Sequence, residues 1–356
     1  MPTKKPPRLM LIDALRAVAS QLIVLHHLAF YGPMSDFAEP LAPRLISWLS
    51  RDARIAVQVF FVIGGFLAAK NLAPAGRLAA GSPMKLLGRR YLILGIPYLA
   101  AVLLSIPSAA VARALMTHDS IPGAPSLAQL LAHVLFLQSI LGFDGLSAAC
   151  WYVPIDFQLF SLLLGCLWLA RSMGDGIERG RVTGLFLVVL LALSSLFHFN
   201  RDSAWDVWGL YFFGAYALGV LAYWVAGRKS ACLWFLVIAV VVGASLWLEW
   251  RSRIAVALLT SLALGLGQKY DFLSRWPRSR LIGWLGEISY SVFLVHFSVC
   301  LVINGLFTRF AGHDPLVNAV GMFVAWGASI AAGALFYHCV ESRVRFILKR
   351  KVEGSR

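Results

Sequence analysis

Leu9-Met-Leu-Ile-Asp13-Ala-Leu-Arg16-Ala-Val-Ala-Ser-Gln-Leu-Ile-Val-Leu-His26-His27-Leu-Ala-Phe30 is long enough to cross a bilayer, yet it carries four ionisable side chains. Each costs roughly 2.5–3.5 kcal/mol at the centre of a spanning helix, so a helix that keeps them lines something polar. Arg16 and His27 are eleven positions apart. Eleven steps of about 100° return to within about 20° of the starting face and climb roughly 16 Å. One face thus holds a permanent cation towards one membrane surface and a titratable imidazole towards the other. His26 points about 100° away from that face.

The rest of the chain fits the same solvent. Of 356 residues, 59% are hydrophobic and 14% charged, against about 25% charged in ordinary soluble domains. Apolar runs predict an all-α, polytopic transmembrane helical bundle. About ten spans are expected, near 10–30, 54–73, 90–112, 150–170, 182–199, 205–226, 231–248, 254–268, 282–305 and 316–341. Most come close to the ~20 residues that a hydrocarbon core requires. The eighth is short, which fits a tilted or partly re-entrant segment. Leu127–Phe143 is a rival span; Ala-Pro-Ser before it and Gly142, Asp144 and Gly145 after it favour an interfacial helix.

Ten spans place both termini on one side, and charge says which. The segments assigned to the cytoplasm hold 23 lysines and arginines, from Lys4, Lys5 and Arg8 to Arg356; the opposite loops hold 8 arginines and no lysine. This is the positive-inside pattern, with both termini cytoplasmic. The formal charge of +15 is then mostly topology. A nucleic-acid partner would want its basic residues on a soluble face, and the chain reads as one membrane module over 1–356 with no soluble domain appended. The basic inner side also suits anionic lipid or a polyphosphate-bearing metabolite. Asp13 and Arg16 interrupt the first apolar core, so the basic N-terminus is not read as a cleaved signal peptide. Five scattered cysteines give no disulfide framework and no metal site.

Further polar groups punctuate other spans. Gly64-Gly65 in the second serves either helix packing or close approach of a ligand. Gly88-Arg89-Arg90-Tyr91 opens the third, as a topology anchor or a grip for phosphate. Trp151-Tyr-Val-Pro-Ile-Asp156-Phe-Gln158 enters the fourth, and its buried carboxylate wants a partner, for which the arginine or histidines of the first helix are candidates. The ninth carries Ser289-Tyr290-Ser291 and His296; the last ends with His338 and Glu341, which has arginines nearby.

In this order the blocks resemble the acyltransferase-3 family of integral membrane acyltransferases. Leu-Ile-Asp13-Ala-Leu-Arg16-Ala with His27 resembles that family's L-D-G-L-R-A-x-A opening and the histidine eleven residues after its arginine. The second span resembles V-x-x-F-F-V-L-S-G-F-L, the fourth W-x-L-x-x-E-x-Q-x-Y, and the ninth S-Y-S-x-Y-L-x-H. The last resembles Y-x-x-x-E-x-P-x-R, with Glu341 and Arg345 present. Gly64 stands where the family has serine, Asp156 where it has glutamate, Ile93 where a third-span arginine is usual, and Ser342-Arg343 where Arg/Lys-Pro is usual.

The resemblance implies O-acetylation of a glycan with acetyl-CoA as donor and no metal. Its phosphates would meet Arg89, Arg90 and Arg16, and His27 would act as general base or carry the acyl group. Imidazole, with a reference pKa near 6.5, suits the first role. Asp156 or another carboxylate is expected to orient His27 in the manner of a triad. Trp151, Gln158, Ser289, Tyr290 and His296 are expected on the acceptor, between the first, fourth and ninth helices. Asp13, His26, Gly65 and Glu341 are expected in supporting roles. The implied acceptor is an exopolysaccharide or O-antigen repeat unit, the setting a bacterial inner membrane, and polysaccharide assembly machinery a partner. From the residues alone, a secondary transporter or flippase of a sugar or lipid has equal need of intramembrane charge, and a catalytically idle sensor or scaffold is a third reading, which the departures at Gly64, Ile93 and Asp156 would suit.

Overall fold

A computed structural model describes residues 8–79, 81–173 and 176–353. Lys4, Lys5 and Arg356, counted in the charge asymmetry, lie outside the described residues. In chain order the helices are α1 (Met10–Phe30), α2 (Pro33–Ala38), α3 (Pro43–Arg51), α4 (Val57–Leu72), α5 (Pro83–Leu115), α6 (Leu127–Val134) and α7 (Tyr152–Met173). They are followed by α8 (Ile177–Phe197), α9 (Gly209–Ala226), α10 (Ala231–Leu248), α11 (Ser252–Lys269), α12 (Arg280–Phe310), α13 (Pro315–Phe336) and α14 (Ser342–Glu353). A π-turn over Tyr337–Glu341 joins the last two. No strand occurs among the described residues.

Nine helical segments among the described residues are long and apolar enough to cross a membrane. They correspond to nine of the ten expected spans. The eighth, 254–268, is the helix α11, but Arg253, Thr260, Ser261, Gln268 and Lys269 lower its apolarity and leave it outside that set. The rival span Leu127–Phe143 is not one helix. Its helical part, α6, has 8 residues, about 12 Å, and irregular turns follow it. Large apolar side chains on the outer faces of α8, α10 and α13, Phe186, Val240, Trp247 and Phe323 among them, are exposed. Such faces suit hydrocarbon rather than water. The protein is a multi-pass integral membrane protein.

Two compact units divide the chain. The first comprises Met1–Ala19, Ile55–Pro83 and Gln158–Glu287, and the second Ser20–Arg54, Met84–Phe157 and Ile288–Arg356. In the first unit α9 is apolar all round and buried along its length, as a helix at the centre of a bundle must be. It packs against α4, α8, α10 and α11. Gly65 on α4 lies against the carbonyl of Tyr216, and Gly219 on α9 lies against the carbonyl of Val62. A Cβ at either position would collide with the facing backbone, so this reciprocal pair sets the closeness of the crossing. Of the two readings open for Gly65, packing is the one realised.

In the second unit α2 packs on α13. The N-terminus of α13 follows local rules, with Pro315 in its first turn and the Asp314 side chain accepting from Val317 N at 2.9 Å. Asn304 Oδ1 accepts from Met34 N at 3.3 Å, and Trp326 Nε1 donates to Gln21 Oε1 at 2.8 Å. On α5, Pro97 has no N–H and loosens the helical ladder. One turn before it, the carbonyl of Leu94 accepts from Tyr290 Oη on α12 at 3.0 Å.

Candidate active site

His27 and His296 meet inside the second unit. His27 Nδ1 and His296 Nε2 are 2.6 Å apart, and the ring centroids lie 4.9 Å apart with planes inclined by 10°. Both residues are buried, at 7% and 0% exposure. His296 Nδ1 lies 3.1 Å from the carbonyl oxygen of Val292. A carbonyl can only accept, so Nδ1 of His296 carries a proton and, in the neutral ring, Nε2 is the acceptor. His27 then donates from Nδ1, which leaves its Nε2 with a free lone pair. The backbone of α12 fixes the tautomer of one histidine, and that histidine fixes the other.

His26 is used differently. Its Nδ1 donates to the carbonyl of Leu49 at 2.8 Å, tying α1 to α3. Beyond His27 an aromatic series continues, with Tyr31 at 5.3 Å and Phe297 at 5.2 Å from Tyr31, centroid to centroid. On the other side Phe293 lies 6.1 Å from His296 and 5.0 Å from Tyr152 of α7.

Asp156 does not orient His27. Its carboxylate, 3% exposed, is ion-paired with Arg90, because a buried carboxylate takes the nearest strong donor. The partner expected among the residues of α1 is therefore a residue of α5. Arg90 is correspondingly committed, while Arg89 is exposed at the start of the same helix. A second buried ion pair joins Glu341, 1% exposed, to Arg345, and Ser291 Oγ donates to Glu341 Oε2 at 2.5 Å. Glu341 closes the π-turn, a form of helical bulge that re-aims side chains. Tyr290 lies within electrostatic range of both ion pairs. It lies six positions before His296, about 9 Å along α12. Ser289 is buried beside it.

Of the remaining expected residues, Trp151 is partly exposed in the second unit, and Gln158, Asp13 and Arg16 belong to the first. Gln158 accepts from Gly209 N at 2.7 Å and so caps the start of α9. Asp13 pairs with Arg8 at 2.5 Å, and Arg8 also donates to the carbonyl of Gly283 at 2.5 Å. Arg16 is half-buried on α1. Because α1 is unbroken, its one-face relation to His27 along that helix holds. Among the described residues, no group of three or more His, Cys, Asp or Glu side chains has metal-binding geometry.

The family model for an acyltransferase domain, acyltransferase-3, matches residues 11–338. The chain belongs to the acyltransferase-3 family. It is a membrane acyltransferase. No curated protein and no solved structure matches it. Set against the acyltransferase-3 blocks, the structure brings the histidine of the first helix and that of the ninth expected span into direct contact. It gives the two carboxylates of the motif blocks, Asp156 and Glu341, to arginines. Sequence reasoning missed Tyr31 and Phe297 as neighbours of this pair, although Tyr31 follows His27 by one helical turn and Phe297 follows His296 directly.

Proposed function

We propose that this acyltransferase moves an acetyl group from acetyl-CoA to a hydroxyl of an extracytoplasmic or lipid-linked glycan, of the exopolysaccharide or O-antigen repeat type. The supporting observation is the hydrogen-bond series Val292–His296–His27, which leaves Nε2 of neutral His27 able to take a proton. The acceptor O–H gives its proton to that nitrogen as its oxygen attacks the thioester carbonyl carbon. A C–O bond forms, the C–S bond breaks, and the proton passes from His27 to the departing sulfur. General-base catalysis of this kind contributes about 10²–10⁴-fold. His296 keeps its Nδ1 proton throughout and holds the ring of His27 in place. Arg89 is the cation of this unit assigned to the phosphates of the donor, which is supplied from the cytoplasmic side of a bacterial inner membrane.

Deletion in the host, followed by proton NMR of ester-linked acetate on surface glycans, tests the reading. Acetate is expected to vanish and to return with wild type but not with His27→Ala present at equal level. Rescue by both forms would remove His27 from the mechanism. Unchanged acetate, together with no transfer from labelled acetyl-CoA to cell-envelope glycan, would sink the acetyl-transfer reading.

A further inference from the structure

A cavity of about 570 Å³ opens in the second unit, lined in part by Tyr31 and Phe297, the neighbours of the His27–His296 pair. That volume falls in the range of roughly 300–1,000 Å³ typical of small-ligand sites. Tyr31, Phe297 and Trp151 supply its aromatic surface, and Asp119, Asp144 and Gln129 its polar one. Tyr31 and Phe297 are in contact with each other, Tyr31 stands beside His27, and Phe297 follows His296 in the chain. The cavity therefore reaches Tyr31, one ring contact away from His27.

Its walls are braced rather than loose. Gln129 Nε2 donates to the carbonyl of Asp144 at 2.8 Å, and Ser120 Oγ donates to the carbonyl of Tyr31 at 3.1 Å. His133 is buried and ties α6 to the segment after it, accepting at Nε2 from Leu146 N at 3.3 Å and donating at Nδ1 to the Gln129 carbonyl at 2.8 Å. Gln138 Nε2 donates to the carbonyl of Cys150 at 2.7 Å, immediately before Trp151. Such fixed loops reduce the ordering cost of binding.

The geometry points to this cavity as the seat of the acceptor, and to a neutral pyranoside as the class of acceptor it takes. The inference rests on the acyl-transfer reading for its reaction, and on the cavity for its ligand. An aromatic ring offers a flat apolar surface with a negative face, which suits the slightly positive C–H face of a pyranose. Exposed carboxylates accept hydrogen bonds from sugar hydroxyls. Two aspartates on the same wall also repel an anionic sugar, so a uronate or a phosphorylated sugar fits worse than a neutral one. A hydroxyl of the bound ring directed past Tyr31 is the one that His27 would deprotonate.

Two measurements on the full chain in lipid nanodiscs test this. The first is photolabelling with a diazirine-bearing methyl glucopyranoside, mapped by mass spectrometry. Label is expected in peptides spanning 117–151 and at Tyr31, competed by methyl glucopyranoside and less well by methyl glucuronoside. The second is release of CoA from acetyl-CoA driven by the same two sugars. Trp151→Ala is expected to raise KM for the neutral sugar about tenfold, with Trp151→Phe close to wild type. Label elsewhere, no specific label, or equal competition by the glucuronoside overturns the assignment, whatever the transfer assay gives. Label in the cavity without any acetyl transfer keeps the sugar site and removes the reaction.

Discussion

His27 donates its Nδ1 proton to Nε2 of His296 across 2.6 Å, so the base expected of an acyl transferase is held by a second imidazole and not by a carboxylate. A neutral partner stabilises the transient imidazolium less than a carboxylate does, but it fixes the tautomer equally well. The burial of both rings makes that fixation durable, since a misplaced proton would leave two buried nitrogens without partners.

Replacing His27 by alanine is expected to lower acetyl transfer by about 10² or more. His26→Asn, which preserves a donor to the Leu49 carbonyl, is expected to stay within a few-fold of wild type. Radiolabel transfer from acetyl-CoA in matched membranes checks both. The reverse order of effects would exchange the roles of the two histidines.

For His296 the discriminating comparison is glutamine against leucine. Glutamine can still accept from His27, and leucine cannot. We expect His296→Leu to lose activity through kcat, with KM for acetyl-CoA little changed, and His296→Gln to recover a substantial part of it. Equal loss in both variants, at equal melting temperature, would show that the acceptor function is not what matters.

Arg90→Ala leaves the carboxylate of Asp156 buried and unpaired, a change that costs about 3–5 kcal/mol in comparable pairs. Arg89→Ala, at an exposed position, is expected to cost far less. The double variant Arg90→Ala/Asp156→Asn should recover part of the loss. Melting of the detergent-solubilised protein, read across these variants, gives the order directly.

At the α4–α9 crossing, Gly219→Ala forces a methyl group into the Val62 carbonyl, an overpacking expected to cost about 1–3 kcal/mol. Gly88→Ala meets nothing within 4 Å and replaces the poorer helix former, so it should be neutral or slightly stabilising. Comparable melting of both would mean that the backbones do not approach so closely.

Burial lowers the pKa of His133 below its usual 6.5, so the unfolded chain binds more protons there than the folded one. The stability that neutral His133 contributes is therefore complete above about pH 6.5 and falls as pH drops towards the lowered value. Protonation also removes the Nε2 acceptor that holds Leu146 N. Melting temperature between pH 7.5 and 5.5 should fall more for wild type than for His133→Gln; parallel slopes would exclude this residue as the cause.

Much of the bundle was legible because a bilayer enforces a simple rule. A spanning segment must be apolar and helical to satisfy its backbone, so α1, α7 and α10 could be placed from composition alone. The boundaries that shifted are those where helices outrun the membrane, as α5 does by starting at Pro83, or where one is too polar to meet the rule, as in α11. The site was legible as a set of residues. Its pairing was not: Asp156 had Arg16, His26 and His27 of the first helix as candidate partners at sequence level, and packing brought Arg90 of α5 to it instead.

Sequence alone determined that this chain crosses a membrane many times, that Arg16 and His27 share a helix face, and, through the order of its motifs, that it belongs with the acyltransferases of family 3. These are local properties, set by hydropathy, by helical period and by residues close together in the chain. The tertiary structure decided which polar groups meet. It brought His296 to His27 across 269 positions and Arg90 to Asp156 across 66, and it gathered Tyr31, Trp151, Phe297, Asp119 and Asp144 around one cavity. Such contacts depend on how helices pack, and a buried charge or imidazole settles with whichever partner that packing brings within hydrogen-bond reach.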